Sequence, residues 1–354
     1  MGLNGMLMSQ DSPIAQVRDG LITDFDSRRI PLYLLKTKDL SGWLESRAID
    51  SHRTNSRLLK KALRLSASDD LEAVLRVHGA TITDTYWFRP EGETVCYDEV
   101  KFSENLFDKL ALQGDPDSFN QLPPDSRTPE LTNIGSFEKC WRIQDRRWYM
   151  LKSGNEAERF SELFICAFGK RLGLDMAEYE AEGDYIRSRD FTKGASVNYE
   201  PAWGIVLDNE DYAFNFHALR QLSEKAASQY VGMVYLDALC FNMDRHTQNY
   251  GVLREVESGR VLSLAPLFDH NIALIARGYP KLDRTRDRLI EWFVDFLKQE
   301  PEAGEFFKEL SLPQIDEDLV MDCIRQVPLQ ADNEFVCRFI LNGERQIRTN
   351  LETK

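Results

Sequence analysis

The stretch NMDRHTQNYG at 242–251, answered by LAPLFDHN at 264–271, decides how this chain is read. It places Asp244, Asn249 and Asp269 in the order and spacing that phosphoryl transfer uses. An acid followed five residues later by an amide presents a base and a metal ligand from one loop. A second acid arriving from a nearby strand then completes a Mg²⁺ site. Taken singly, Asp244 and Asn249 equally well cap helices or shape turns. The reading therefore rests on the whole succession of helix, loop, hairpin and acid.

The neighbouring segments predict that succession. SQYVGMVYLDALCFN at 228–242 is apolar nearly all round, as a buried helix is, and it delivers Asp244 at its C-terminal end. YGVLREV at 250–256 and RVLSLAP at 260–266 read as a hairpin turning at ESG. Pairing centred near Ser258 sets Asn249 opposite position 267, within reach of Asp269. In that geometry Asp269 chelates Mg²⁺ that bridges nucleotide phosphates, and Asn249 adds a neutral oxygen. Asp244 accepts or orients the proton of an attacking hydroxyl.

Upstream, FEKCWRI at 137–143 and RWYMLK at 147–152 predict two strands joined by the tight turn QDR. EAERFSELFICAFGKRLG at 156–173 predicts an amphipathic helix closed by Gly173. Lys152 ends an apolar strand and Glu162 lies in that helix, so a lysine held by a helix glutamate and aimed at phosphates is expected. Glu158, one turn earlier, can take the same part, and a surface ion pair is the plainer alternative. TNIGSFEK at 132–139 offers Gly135 and Ser136 in a small loop whose backbone N–H groups can cover phosphates. It is neither a GxGxxG nor a Walker sequence, and an ordinary turn reads the same way.

In order, TNIGSFEK, YMLK, SELFICAFGKRLG, NMDRHTQNYG and LAPLFDHN resemble the HipA family of bacterial kinases over about 130–280. The resemblance implies an α+β, bilobal protein-kinase-like fold of HipA type. It divides the chain into an N-terminal α/β accessory subdomain with a linker (1–125), a β-rich N-lobe (126–190) and a largely helical C-lobe (191–354). It implies ATP and Mg²⁺ as cofactors, a protein substrate with a Ser or Thr acceptor, and a toxin–antitoxin setting with an antitoxin-like or regulatory partner. On that likeness Asp244 matches the catalytic aspartate, Asn249 and Asp269 the metal ligands, Lys152 the nucleotide lysine and Glu162 its helix partner. Gly135, Ser136, Arg187 and His246 are candidate nucleotide contacts, with the adenine hinge expected near 186–191. Thr132 takes the place of a serine that some members autophosphorylate, and Ser136 is the second candidate. The first 125 residues depart from the N-terminal subdomain of the best-known toxins. Two alternatives stay open: a nucleotide-binding module that no longer catalyses, and a small-molecule or lipid kinase on the same fold. The intact set of Asp244, Asn249, Asp269 and Lys152 argues against the first.

Bulk properties narrow the partners. The 354 residues are 42% hydrophobic and 29% charged, the balance of a soluble globular chain. A net charge of −14 disfavours direct binding to nucleic acid or anionic membranes. The basic stretch HRTNSRLLKKALR at 52–64 reads as the solvated face of an amphipathic helix. No apolar run is long enough to span a membrane, and no signal peptide is read. Six cysteines without a CxxC pair fit reduced thiols and a cytoplasmic location. Elsewhere the sequence predicts a polar, partly mobile segment over 1–26 and a strand at 30–35. Helices follow near 39–48, 54–65 and 69–78, then strands in TITDTYWF and ETVCYDEVKF and a linker at 112–131. AEGDYIRSRDF reads as one or two strands, and 284–350 as three or four helices broken at Pro301, Pro313 and Pro328.

Overall fold

The N-terminal residues contain apolar pairs that their polar neighbours conceal. The computed structural model describes residues 2–66, 69–121, 123, 126–277, 284 and 287–352. Within it β1 (Gly5–Ser9), β2 (Ser12–Arg18) and β3 (Leu21–Phe25) form an antiparallel meander where a mobile segment was expected. Leu7, Met8, Ile14, Ala15 and Val17 are buried. Leu7 and Met8 are adjacent and point to opposite faces, so apolar side chains are covered on both sides of β1, Met8 packing with Ala80, Trp87 and Val100. IPLYLL is not a strand but begins α1 (Leu32–Thr37), because a short apolar run alone does not distinguish strand from helix. Pro31 precedes its first turn, and Lys38 closes it with left-handed backbone.

The next three helices fall where expected: α2 (Leu40–Glu45), α3 (Thr54–Ala62) and α4 (Asp70–Leu75). Strand β4 (Tyr86–Pro90) pairs with β1, giving the order β3-β2-β1-β4. ETVCYDEVKF, expected as a strand, instead carries α5 (Tyr97–Val100); Glu99 reaches back to the N–H of Cys96, and this local cap outweighs strand propensity. The expected linker holds the end of α6 (Asp108–Gln113), then α7 (Pro116–Gln121) and a 3₁₀ turn at Pro129–Thr132. Leu131 is fully buried beside Ile49, Leu59 and Leu63. Leu122, Pro124 and Asp125 of that linker lie outside the described residues.

β5 (Lys139–Gln144) and β6 (Arg147–Lys152) make the expected hairpin. Asp145 and Arg146 both have positive φ, as a two-residue turn matched to strand twist requires. Helix α8 (Glu156–Arg171) follows, with Gly173 just beyond its cap, and then β7 (Tyr179–Glu182). β8 (Tyr185–Arg189) pairs with β6. Residues Met1–Ser153, Tyr185–Glu200 and Leu253–Arg260 form one compact unit; Gly154–Asp184, Pro201–Val252 and Val261–Lys354 form the second.

After β9 (Asn198–Pro201), α9 (Trp203–Val206) and α10 (Tyr212–Leu222), the second unit is organised around α11 (Glu224–Cys240). That helix is buried over most of its surface, as its composition predicts. Phe241 ends it in the left-handed conformation. β10 (Gly251–Arg254) and β11 (Val261–Leu264) form the hairpin, the Ala265 N–H donating to Gly251 O (2.8 Å). That register is the one centred on Ser258. Among the described residues the C-terminal part is four helices: α12 (Arg288–Gln299), α13 (Pro301–Glu309), α14 (Glu317–Arg325) and α15 (Asn333–Glu352). No described helix is long and apolar enough to cross a membrane.

Candidate active site

In the second unit the site grows from one acid inside an apolar helix. Asp237 of α11 is buried and pairs with Arg245 through two hydrogen bonds, Nε to Oδ2 (2.8 Å) and Nη2 to Oδ1 (3.0 Å). Burial by itself disfavours the Arg245 cation, and Asp237 more than restores it, so the arginine pKa is raised. Its Nη1 donates to the carbonyls of Asn249 (2.7 Å) and Phe268 (2.9 Å), and its Nη2 to His270 Nε2 (2.9 Å). One guanidinium thus joins the end of α11, the loop after it and the segment that leaves β11.

Because arginine only donates, Nε2 of His270 presents a lone pair and the ring carries its proton on Nδ1. That nitrogen faces Glu162 Oε1 at 3.9 Å. Glu162, fully buried in α8, also accepts the His270 backbone N–H (3.0 Å). Phe268 and His270 are therefore both fixed, and Asp269 between them has φ +64°. Aspartate is among the residues that adopt left-handed backbone at little cost, and its two fixed neighbours hold it there.

The loop itself is closed by Asn249. Its Nδ2 donates to Asp244 O (2.7 Å), and its Oδ1 accepts the His246 N–H (3.0 Å). The expected metal ligand is thus first a clasp, and its Oδ1 also accepts a long hydrogen bond from Arg245 Nη1 (3.4 Å). Asp244 and Asp269 are half-buried, and His246 is exposed. The structure brings the Asn249 and Asp269 segments together through Arg245, and ties Glu162 to the residue after Asp269.

In the first unit Lys139 and Lys152 stand directly opposite each other in the β5–β6 register, and both are buried. They share a sheet face with Trp141 and Met150. Ile186, in the expected hinge region, is opposite Lys152. Arg187 is opposite Leu151 and hence on the other face, where it donates to Gln144 Oε1 (2.9 Å) and covers the Tyr149 ring. The structure does not group Arg187 with Lys152.

The loop 132–139 is held from below by Arg53. Its Nε donates to Gly135 O (2.7 Å), its Nη1 to Lys139 O (3.3 Å) and its Nη2 to Asn133 O. The basic stretch 52–64 is therefore not simply a solvated face, since Arg53 and Lys60 are buried, the latter paired with Asp70 (2.6 Å). Gly135 has φ +104°, backbone that L side chains rarely adopt, and a Cβ there would also displace Nζ of Lys139, so glycine is favoured. Ser136 is exposed. Thr132 is buried, its hydroxyl donating to Ala80 O (2.7 Å) and lying 3.3 Å from Pro129 O.

Glu130 joins the two ends of this loop. Its carboxylate accepts from Asn105 Nδ2 (2.7 Å), the Trp141 N–H (2.6 Å) and Asn133 Nδ2 (2.8 Å). Burial pushes its pKa up to about 7, against the opposing pull of Arg53 and these donors. Sequence reasoning missed Asp237, Arg245, His270, Glu130 and Arg53 as parts of the site. Asp237 carried a readable signal, because a lone acid inside an apolar helix calls for a buried cation. Arg53 carried none, since its side chain donates to backbone carbonyls.

No family model and no curated protein sequence matches the chain. Among solved structures, HipA of Shewanella oneidensis, in complex with HipB and its operator DNA, superposes with a TM-score of 0.57. The match covers 99% of this chain and 100% of that one at 13% identity. The chain has a HipA-like fold. The α+β, kinase-like class expected from the motifs is thereby borne out. The Helicobacter pylori proinflammatory kinase CtkA is similar at 17% identity with a TM-score of 0.48, over 60% of this chain and 92% of that one. Within this HipA-like fold, the Arg53-held and Arg245-held segments are two of those on which the sequence resemblance rests.

Proposed function

We propose that the chain is an ATP- and Mg²⁺-dependent serine/threonine protein kinase of HipA type, with 126–190 as its N-lobe and 191–354 as its C-lobe. The observation that carries the reading is the hold on Asp269. Its neighbours on both sides are fixed by Arg245 and Glu162, and the same guanidinium holds Asn249.

The residues suit the implied metal. The Asp269 carboxylate and Asn249 Oδ1 are hard oxygen donors, the class Mg²⁺ takes, and Asn249 Oδ1 would give up its long contact with Arg245 (3.4 Å) to a cation. When bound, the ion neutralises charge on the transferring phosphate. Asp244 orients the acceptor hydroxyl and receives its proton. Lys152 meets nucleotide phosphates, and the loop at Gly135 and Ser136 covers them with backbone N–H groups. His246, exposed beside Asp244, is a further nucleotide contact.

Self-phosphorylation reaches exposed Ser136 directly. It reaches Thr132 only after that hydroxyl leaves Ala80 O. Phosphate on Thr132 adds about two negative charges to the loop and inhibits the enzyme. The substrate is a protein, and a regulatory partner of antitoxin type is proposed by analogy with HipA of Shewanella oneidensis, which was solved with HipB. The acidic surface disfavours direct contact with nucleic acid and membranes, and the cytoplasm is the proposed location.

Purified protein incubated with Mg²⁺-ATP, alone and with a lysate, is read by mass spectrometry. Phosphate transfer that disappears in Asp244→Ala and Asp269→Ala is expected. Normal ATP binding without any transfer would make the chain a pseudokinase. Transfer confined to small hydroxyl compounds would make it a small-molecule kinase.

A further inference from the structure

We propose that Arg53 is the positioning residue of the 132–139 loop, turning its carbonyls inward so that the Ile134 and Ser136 N–H groups face an anionic phosphate. The inference rests on the kinase reading and gives the segment before residue 126 a part in it. The peptide unit is planar, and the described chain contains no cis bond, so the C=O and N–H of each unit point in opposite directions. Asn133 O points at Arg53, hence the Ile134 N–H points away from it. Gly135 O points at Arg53, hence the Ser136 N–H also points away from it. Two N–H groups of one short loop, aimed to the same side, can donate to one anion. The ammonium of Lys139 sits against Gly135, and Lys152 is directly opposite Lys139 in register, so positive charge collects at the same loop.

The cost of burying Arg53 supports a functional purpose. A guanidinium taken out of water loses several kcal/mol of solvation, and an apolar side chain of similar size serves stability as well. Its side chain donates to three carbonyls of one loop, and Glu130, Glu138 and Asp50 act on it through space. Further ties bind the loop to the same segment. The Ile49 N–H donates to Leu131 O (2.9 Å), Thr132 Oγ1 to Ala80 O (2.7 Å) and the Asn55 N–H to Glu138 Oε1 (3.2 Å). The N-terminal segment thus sets the shape of the loop.

Calorimetric titration with Mg²⁺-ATP and with adenosine, on the full chain and on Arg53→Lys and Arg53→Gln, tests this. Amide exchange over 132–140 in the same proteins supplies a second readout. Arg53→Lys keeps the charge but not the three-pronged geometry. It is expected to weaken Mg²⁺-ATP about tenfold or more, leave adenosine within about twofold, and speed exchange at Ile134 and Ser136. Gly135→Ala strains the loop without touching Arg53 and should show the same phosphate-selective loss if Arg53→Gln fails to fold. Unchanged Mg²⁺-ATP affinity in Arg53→Lys overturns the proposal, and so does a parallel loss of ATP and adenosine. If the unaltered chain binds no Mg²⁺-ATP, the kinase reading fails. In that case unchanged exchange in Arg53→Lys separately overturns the positioning role.

Discussion

Two loops, 132–139 in the first unit and 242–250 in the second, are each gathered around a buried arginine that donates to backbone carbonyls. They differ in what balances the charge. Arg245 has Asp237 at 2.8 Å, and the pair lifts the arginine pKa even though burial opposes it. Arg53 rests on the carbonyls of Asn133, Gly135 and Lys139, and burial lowers its pKa. A guanidinium with its own carboxylate stays charged and fixed whatever the loop does. One supported by carbonyl dipoles depends on the loop it shapes, so loop and arginine shift together. The first arrangement suits a rigid base and metal ligands, the second a loop that closes over phosphates.

The largest expected effect falls on the rigid side. Asp269→Asn keeps a residue that tolerates positive φ but removes the carboxylate. Phosphate transfer should drop at least about a thousandfold, and Mn²⁺ binding followed by electron paramagnetic resonance should weaken, while the melting temperature barely moves. A large loss of stability instead would show that Asp269 is structural. Next, Arg245→Met leaves Asp237 buried without its cation and should cost about 3–5 kcal/mol in urea unfolding. If Arg53→Met costs as much, the distinction between ion-paired and carbonyl-held arginines breaks.

Glu130 gives the carbonyl-held loop a pH dependence. Its folded pKa, about 7, lies above the ordinary carboxylate value, so the folded state binds the proton more tightly than the unfolded state. The resulting stabilisation is full below about pH 4.5 and is lost as pH rises through about 7, amounting to about 3 kcal/mol. Glu130→Gln should flatten that slope of stability against pH, whatever its absolute stability; an unchanged slope would assign the titration elsewhere. The smallest effect is that of Gly135→Ala, about 1–2 kcal/mol from the left-handed backbone and the Lys139 contact. A stabilising result there would mean the loop is not held as described.

The second unit was legible in the sequence to a degree the first was not. The apolar helix before Asp244, the hairpin centred on Ser258 and the proline-punctuated helices were all readable, because each depends on periodicity or turn chemistry within a short window. The N-terminal meander, α1 and α5 were misread where short segments suit either conformation and a long-range partner or a cap decides. Arg187 was singled out from its letter, but strand register places it on the face away from Lys152. A shift of one position in a strand reverses the face, and spacing alone does not fix it.

The amino-acid sequence by itself determined the inventory of chemistry: Asp244, Asn249 and Asp269 in order, a strand-ending lysine, and a glycine in the loop. These follow from residue type and local spacing. Only the tertiary structure decided which carbonyls the buried arginines hold. It also decided that Glu162 grips the residue after Asp269, and that Thr132 is buried while Ser136 is exposed. The physical reason is that a hydrogen bond to a backbone carbonyl can be accepted by any residue. No letter marks it until the chain has folded and burial has made each unpaired polar group costly.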